Sequence, residues 1–537
     1  MLKKLHGRKL AVCLIGGAMY ALFSAFGWQA EHGGVIWAGG ALLVAVLLVW
    51  PIAALLAVLL ERGYTRALRR EKTFHAGRAF AFILACYVPM FCVAFPGSFA
   101  YDVPYQLRQV VTGAYSTHHP LLHTLALGGL LQLGRALGDI NLGAAMYTAL
   151  QMALLAGCFA LTCGSIARQS GARAAKRAAV FFALYPLNMV MAVNATKDVL
   201  FGGFFALTLA LLNEIQEKPS RGLALKIAAC GALAVMLRNN MAYAALVWLA
   251  LLTIGLRKAE KSAALAMLLA LAVGLCGNAA LKRATRAESG DMSEMLSWPI
   301  QQLARARLYD EDRLTDAEKE AIDELMPGEA WACYDPTISD PVKFEFDTQT
   351  FRADVKKYVG VWLSVGKKCA GTYLDATMAL TYPFFYPYRE YRVSGYYVQM
   401  GMSDAYDAGW CDFDPPESRS LFPRALASLS WRFGAKGAMQ IPVVGWLFNM
   451  GVIVWTMLFF ALREMYWGRW RRFGTALLPV LLWGTFLLGP VMAGRYIYPF
   501  VCALPVLAAR PGRSMKEAPR ARAEMMKDGV VLYEEIR

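Results

Sequence analysis

PLLHTLALGGLLQLGRAL, Pro120–Leu137, is apolar enough to count as a membrane span, and whether it spans decides the topology of the whole chain. A helix needs about 17–25 mostly apolar residues to cross a hydrocarbon core of ~30 Å. Basic clusters between such runs mark cytoplasmic loops. Here they are Lys3, Lys4, Arg8 and Lys9; Arg62, Arg66, Arg69, Arg70, Lys72 and Arg78; Arg168, Arg173, Lys176 and Arg177; Arg257, Lys258 and Lys261; and Arg463, Arg469, Arg471 and Arg472. Counting 120–137 as a span puts the Arg168–Arg177 cluster outside and breaks the alternation. Leaving it out brings every cluster to one side. The segment is therefore expected to lie along, or dip into, the outer membrane face.

The rest of the chain fits that reading. Of 537 residues, 57% are hydrophobic and 18% charged, with a mean hydropathy of +0.39; soluble domains carry about 25% charged residues. Apolar runs at 10–27, 34–60, 79–96, 142–163, 176–193, 198–215, 222–237, 241–256, 262–280, 438–461, 474–491 and 495–510 predict an all-α polytopic membrane protein of about twelve transmembrane helices. Both termini are expected in the cytoplasm. The first run is followed by a second and lacks a convincing small-residue cleavage site, so it reads as a retained span and not as a signal peptide. The net charge of +16 sits in short loops between spans, which points to membrane lipids and not to nucleic acid as its partner.

Four units follow. Residues 1–280 form an N-terminal transmembrane region with an external loop at 97–141. Residues 281–437, which hold most of the chain's 39 acidic residues, form an external, mostly helical insert. Residues 438–510 supply the C-terminal transmembrane helices, and 511–537 a cytoplasmic tail. In the insert, TDAE (Thr315–Glu318) reads as a capping box. GKKCAGTYLDATMALTYPFFYPY (366–388) reads as an interfacial element. Cys333, Cys369 and Cys411 also lie in the insert; two of them are able to form a disulfide, and the pairing is unreadable.

Ionisable groups near membrane depth cost at least ~2.5–3.5 kcal/mol on insertion scales, so each needs a reason. FPGSFAYDVPYQLRQVVTGAYSTHHPLLHTL (95–125) carries Asp102, Arg108, His118, His119 and His123. NATKDVLF (194–201) carries Lys197 and Asp198, VMLRNNMAY (235–243) carries Arg238, Asn239 and Asn240, and GPVMAGRYIYPF (489–500) carries Arg495 and Tyr496. The topology puts all four on the outer face. Each has an ordinary reading as well: a charge pair at a helix boundary for Lys197–Asp198, lipid-phosphate snorkelling for the arginines, and an N-cap followed by proline for Asp102. His119 and His123 are four apart and would share one face of a helix through both. Phosphate pairing, interfacial packing and metal ligation all remain open for them. Chemically, one carboxylate among several cations suits a general base beside a bound phosphate.

The order of these motifs resembles the GT-C superfamily of membrane glycosyltransferases. The resemblance rests on an acidic residue in the first large external loop (SFAYD), a His-Pro segment followed by a juxtamembrane helix (HHPLLHTL), and a late GRYIYP. More closely, FPGSFAYD…HHPLLHTL, NATKDVLF, LRNN, EMLSWPIQQLAR and DPVK look like the uncharacterised bacterial DUF6020 family. The resemblance implies a GT-C-like fold in a bacterial plasma membrane and an inverting sugar transfer from a polyprenyl-phosphate-linked donor to an envelope glycan or glycopolymer. Asp102 would then be the base, and His118 or His119 would help hold phosphate or acceptor. Lys197, Arg238 and Arg495 would contact donor phosphate, with Arg108, Asp198, Asn239, Asn240 and Tyr496 lining the substrate site. AYDVPY offers no second carboxylate beside Asp102; Asp198 is the candidate for one. No cofactor is required, and a divalent metal is left open. A lipid-linked saccharide flippase, a polymerase or ligase using a lipid-diphosphate donor, and an assembly scaffold are the competing readings. No internal repeat of the transporter kind is visible.

Overall fold

The computed structural model describes residues 5, 7–32, 39–62, 73–99, 102–252, 258–387, 416–417, 419–423 and 441–510. Among them no strand forms, and the secondary structure is helical apart from isolated bridges. The N-terminal region runs α1 (Arg8–Glu31), α2 (Gly39–Arg62), α3 (Ala76–Val93), α4 (Val103–Thr112), α5 (Leu121–Ala136), α6 (Ile140–Ser170), α7 (Ala172–Leu184), α8 (Pro186–Ala192), α9 (Lys197–Glu217), α10 (Arg221–Leu237), α11 (Asn240–Leu252) and α12 (Lys258–Thr285). The insert contributes α13 (Ser297–Tyr309), α14 (Asp316–Leu325), α15 (Asp340–Lys343), α16 (Thr348–Ala353), α17 (Val355–Lys368) and α18 (Ala370–Thr381). The chain returns to the bundle with α19 (Met450–Tyr466), α20 (Trp470–Leu487) and α21 (Tyr498–Ala508).

Six of these helices are long and apolar enough to cross a membrane: α1, α2, α3, α6, α9 and α12. Proline interrupts the run expected at 176–193, because Pro186 opens a new helix after Leu184. A residue before proline is driven out of the helical region, and Tyr185 is accordingly extended. The 120–137 run forms α5, 16 residues long, which at 1.5 Å per residue falls short of a ~30 Å core.

α9 is the central helix, with 89% of its apolar window buried against 17% for the peripheral α2. α6, α10 and α21 pack around it. α5 crosses α6 in backbone contact: a Cβ at Gly134 would come within 2.3 Å of the Gly143 nitrogen, and one at Gly143 within 2.5 Å of the Leu130 oxygen. Small residues at such a crossing let helices approach without a side chain between them. The insert has its own apolar core, running from Ile300 to Tyr373 through Ile322, Val342 and Val365. α18 links the two cores, contributing Tyr373 to the insert and Leu380 to the bundle.

The two ends of α9 differ in charge chemistry. At its C-terminal end Glu214 pairs with Arg168 and Glu217 with Arg472, and Gln216 bonds Thr475 near the start of α20. Lys197 opens the same helix, about 30 Å away for 21 residues. The capping box at Thr315 and Glu318 is present. Cys333 and Cys369 are both free thiols, so no disulfide joins them; Cys369 packs as an apolar side chain in the insert core. Cys411 and the 511–537 tail lie outside the described residues.

Candidate functional site

Two loops are zipped together to build the site. Gly97 has φ +142°, and a Cβ there would come within 2.3 Å of Thr148 Oγ1; only glycine fits. The next residue, Ser98, donates its amide to Val193 O at 2.8 Å and accepts from the Ala195 amide at 2.8 Å. Asp102 follows four residues after Ser98 and Lys197 two after Ala195, so the short bridge sets them side by side. Gln151 fastens the second loop from behind, donating to Ala192 O and Asn194 O.

Asp102 occupies the N-cap position of α4 with Pro104 in the first turn, yet its side chain makes no capping hydrogen bond. Its Oδ2 instead accepts from Lys197 Nζ at 2.7 Å and its Oδ1 from Arg495 Nη2 at 3.0 Å. His119 Nδ1 stands 3.8 Å from Oδ2. Burial opposes ionisation of Asp102, but the Arg495 and then the Lys197 charge outweigh it and hold the carboxyl well below the usual carboxylate range. The Asp102 side chain keeps 21% of its surface open, against 15% for Lys197 and 8% for Arg495.

Behind this mouth lies a second, buried pair. Thr196 caps α9 by accepting from the Asp198 amide at 3.2 Å. Asp198 has no exposed side-chain surface; it pairs with Arg238 and lies 3.7 Å from Arg495 Nε. The Arg238 guanidinium lies against both Phe486 and Tyr496, 4.4 Å from each ring centroid, a favourable arrangement for a desolvated cation. Three cations thus meet two carboxylates, which leaves one positive charge in excess. Asp198 orients the two arginines and does not reach the opening.

The histidines separate into three roles. Pro120 is the N-cap of α5, so His119 precedes the helix and the shared His119–His123 helical face does not form. Burial and then the Lys197 charge push His119 well below the usual imidazole range despite Asp102, which favours the neutral ring. His123 is a core histidine: its Nδ1 lies 3.0 Å from Gln106 Nε2 and its Nε2 is 2.8 Å from Tyr147 Oη, whose hydroxyl donates to Gln151. Burial pushes its pKa down to about 3. His118 is 43% exposed, stacked edge-on against His119, and 3.9 Å from Glu294 of the insert.

The insert closes on the site from two sides. Thr117 donates its amide to Glu288 O at 2.9 Å and Glu288 donates to Tyr115 O at 2.9 Å. Lys343, buried in DPVK, bonds Glu294 and Asp340 at 2.6 Å each. On the other side the Ser339 amide donates to Pro490 O at 2.9 Å, on the loop leading to Arg495. Of the other expected site residues, Arg108 and Asn239 are exposed and are not partners of Asp102. Asn240 donates to Thr485 Oγ1. Trp298, Gln301 and Gln302 bond Leu487 O, the Asp335 and Ile338 carbonyls, and Thr377, all within the fold. Among the described residues no three His, Cys, Asp or Glu side chains gather so as to hold a metal ion.

These features define a helical membrane protein with a cation-rich, carboxylate-bearing site at the end of its bundle. The chain belongs to the DUF6020 family of proteins of unknown function, whose family model matches residues 111–525. That match takes in His118, His119, Lys197, Asp198, Arg238 and Arg495, and begins nine residues after Asp102. No curated protein and no solved structure matches the chain.

Proposed function

We propose that the protein is a GT-C-type membrane glycosyltransferase. It moves a sugar from a polyprenyl-phosphate donor to an envelope glycan on the outer face of a bacterial plasma membrane, with Asp102 as general base. The observation that carries this reading is the partly open Asp102 carboxylate held between Lys197 and Arg495 at 2.7 and 3.0 Å, with a net positive charge around it. In this topology the chain has twelve spans, both termini are cytoplasmic, and the insert is external. The basic residues at the far end of α9 support that sidedness.

Lys197 and Arg495 take the donor phosphate and release their hold on Asp102, whose basicity then rises. The acceptor hydroxyl oxygen attacks the anomeric carbon while the carbon–oxygen bond to phosphate breaks. The phosphate leaves with the electron pair onto the two cations, and the hydroxyl proton passes to Asp102. Inversion at the anomeric carbon follows from the single displacement. His119 bonds the acceptor, and His118 stands at the rim.

The test is a comparison of envelope glycans from a deletion strain carrying the wild-type or the Asp102→Asn protein at equal expression. Loss of one glycan modification in the deletion strain, restored by wild type and not by the variant, is expected. Unchanged glycans in the deletion strain would sink the reading.

A further inference from the structure

In an insert rich in carboxylates, α17 (VKKYVGVWLSVGKK) has none and carries four lysines. Its apolar residues point two ways. Tyr358 and Val365 are buried in the insert core. Val355, Val359 and Leu363, spaced i, i+4, i+8, form a separate stripe that is 44%, 39% and 50% exposed. Three such side chains in line on one helix face are left uncovered by the described residues of the insert. Lys357 and Lys368, on the polar side, are taken by Glu324 and Glu318. Lys356 and Lys367 fall beside the stripe at helical spacing and have no acidic partner among the described residues.

Next to the stripe is a cavity of about 140 Å³. It is lined by Leu296, Pro299, Phe346, Phe351, Val359 and Trp362, among others. The polar atoms nearby are turned elsewhere: Tyr358 donates to Glu324 and Trp362 Nε1 to Gln302. An apolar cavity of this kind suits a hydrocarbon chain and not a sugar. Two bonds tie its walls to the bundle. Gln302, which holds Trp362, also donates to Thr377, one turn before Leu380 enters the bundle core. Trp298, at the start of α13, reaches Leu487 O at the end of α20.

We propose that α17 is an interfacial helix seated on the bilayer. Its Val355–Val359–Leu363 stripe and the adjoining cavity take phospholipid acyl chains, and Lys356 and Lys367 take anionic headgroups. An apolar stripe flanked by lysines at the level where a bundle meets the interface is the pattern of a helix lying in that plane. The assignment stands on α17 and does not depend on the chemistry at Asp102.

The experiment places p-benzoylphenylalanine at Val359, Leu363 or, as a control on the exposed side of α14, Glu320 in the full chain reconstituted in defined vesicles. Ultraviolet cross-linking is read by mass spectrometry. Phospholipid adducts are expected at 359 and 363 and not at 320. In vesicles of equimolar phosphatidylglycerol and phosphatidylcholine, the phosphatidylglycerol share of the adducts should fall in Lys356→Glu/Lys367→Glu, by roughly fivefold per lysine. Leu363, Lys356 and Lys367 lie outside the insert core and the cavity lining, so folding does not confound the result at these positions. Equal adduct yield at all three sites, no lipid adduct at 359 and 363, or adducts to polypeptide alone would overturn the assignment.

Discussion

Asp102 and Lys197, 95 residues apart, share a hydrogen bond of 2.7 Å. Neither helix that carries them brings this about; the Ser98–Ala195 bridge does. The contact joins the start of α4 to the start of the central helix, and Arg495 reaches it from the far end of the chain.

The buried pair beneath it makes a stability prediction. Removing one partner of a buried ion pair leaves an uncompensated charge and costs about 3–5 kcal/mol, whereas removing both is close to neutral. Asp198→Asn should lower the unfolding temperature in detergent sharply, and Asp198→Asn/Arg238→Met should recover part of the loss. Additive losses in the two variants would contradict the pairing.

The α5–α6 crossing predicts opposite outcomes at two glycines. Gly143→Val drives a side chain into the Leu130 carbonyl and should cost about 1–3 kcal/mol or more. Gly129, on the same α5 helix, has nothing within 4 Å of an added Cβ. Gly129→Ala should stabilise by up to ~1 kcal/mol through helix propensity. Thermal unfolding of both variants checks the crossing.

The buried histidines set a pH slope. Both His119 and His123 have folded pKa values depressed below the unfolded ~6.5, so the unfolded chain binds more protons below that pH. Stability is therefore fully present above pH 7 and falls as pH drops, down to about 3 for His123. Each contributes roughly 1.4 kcal/mol per pH unit within its window. His123→Gln should flatten the slope between pH 6 and pH 4 while lowering stability at pH 7. Asp102, depressed below its unfolded value, contributes stability that is lost only as pH falls beneath about 4.

Lys343 tests how the insert is docked. Lys343→Met strips Glu294 and Asp340 of their buried ammonium. Amide hydrogen exchange at Thr117 and Glu288, which bond across the junction, should then speed up by at least tenfold. Unchanged exchange would mean that the bridge holds without the ion pairs.

Much of this site is legible in the sequence because cost marks it. Lys197, Asp198, Arg238 and Arg495 interrupt apolar runs at their ends, and the alternation of basic loops assigns those ends to one face. The structure brings all four together with Asp102 and His119. Periodicity carries no information about partners across the bundle, so Arg238's contact with Phe486 and Tyr496 and Asp198's retreat behind the mouth were not readable. Pro120 defeats the i, i+4 reading of His119 and His123: spacing implies a shared face only where the helix runs through both residues. EMLSWPIQQLAR and DPVK stood out as separate motifs, and their link is the Glu294–Lys343 bond across 49 residues.

The most direct test of the central claim separates binding from turnover at Asp102. The purified protein, reconstituted with polyprenyl-phosphate lipids extracted from its source membranes, is assayed for donor consumption and donor affinity. Asp102→Asn should bind donor within a few-fold of wild type, since Lys197 and Arg495 remain, yet lose turnover by about 10²–10⁴-fold, the range general-base removal produces. Turnover of the asparagine variant equal to that of wild type would contradict the assignment of Asp102 as the base.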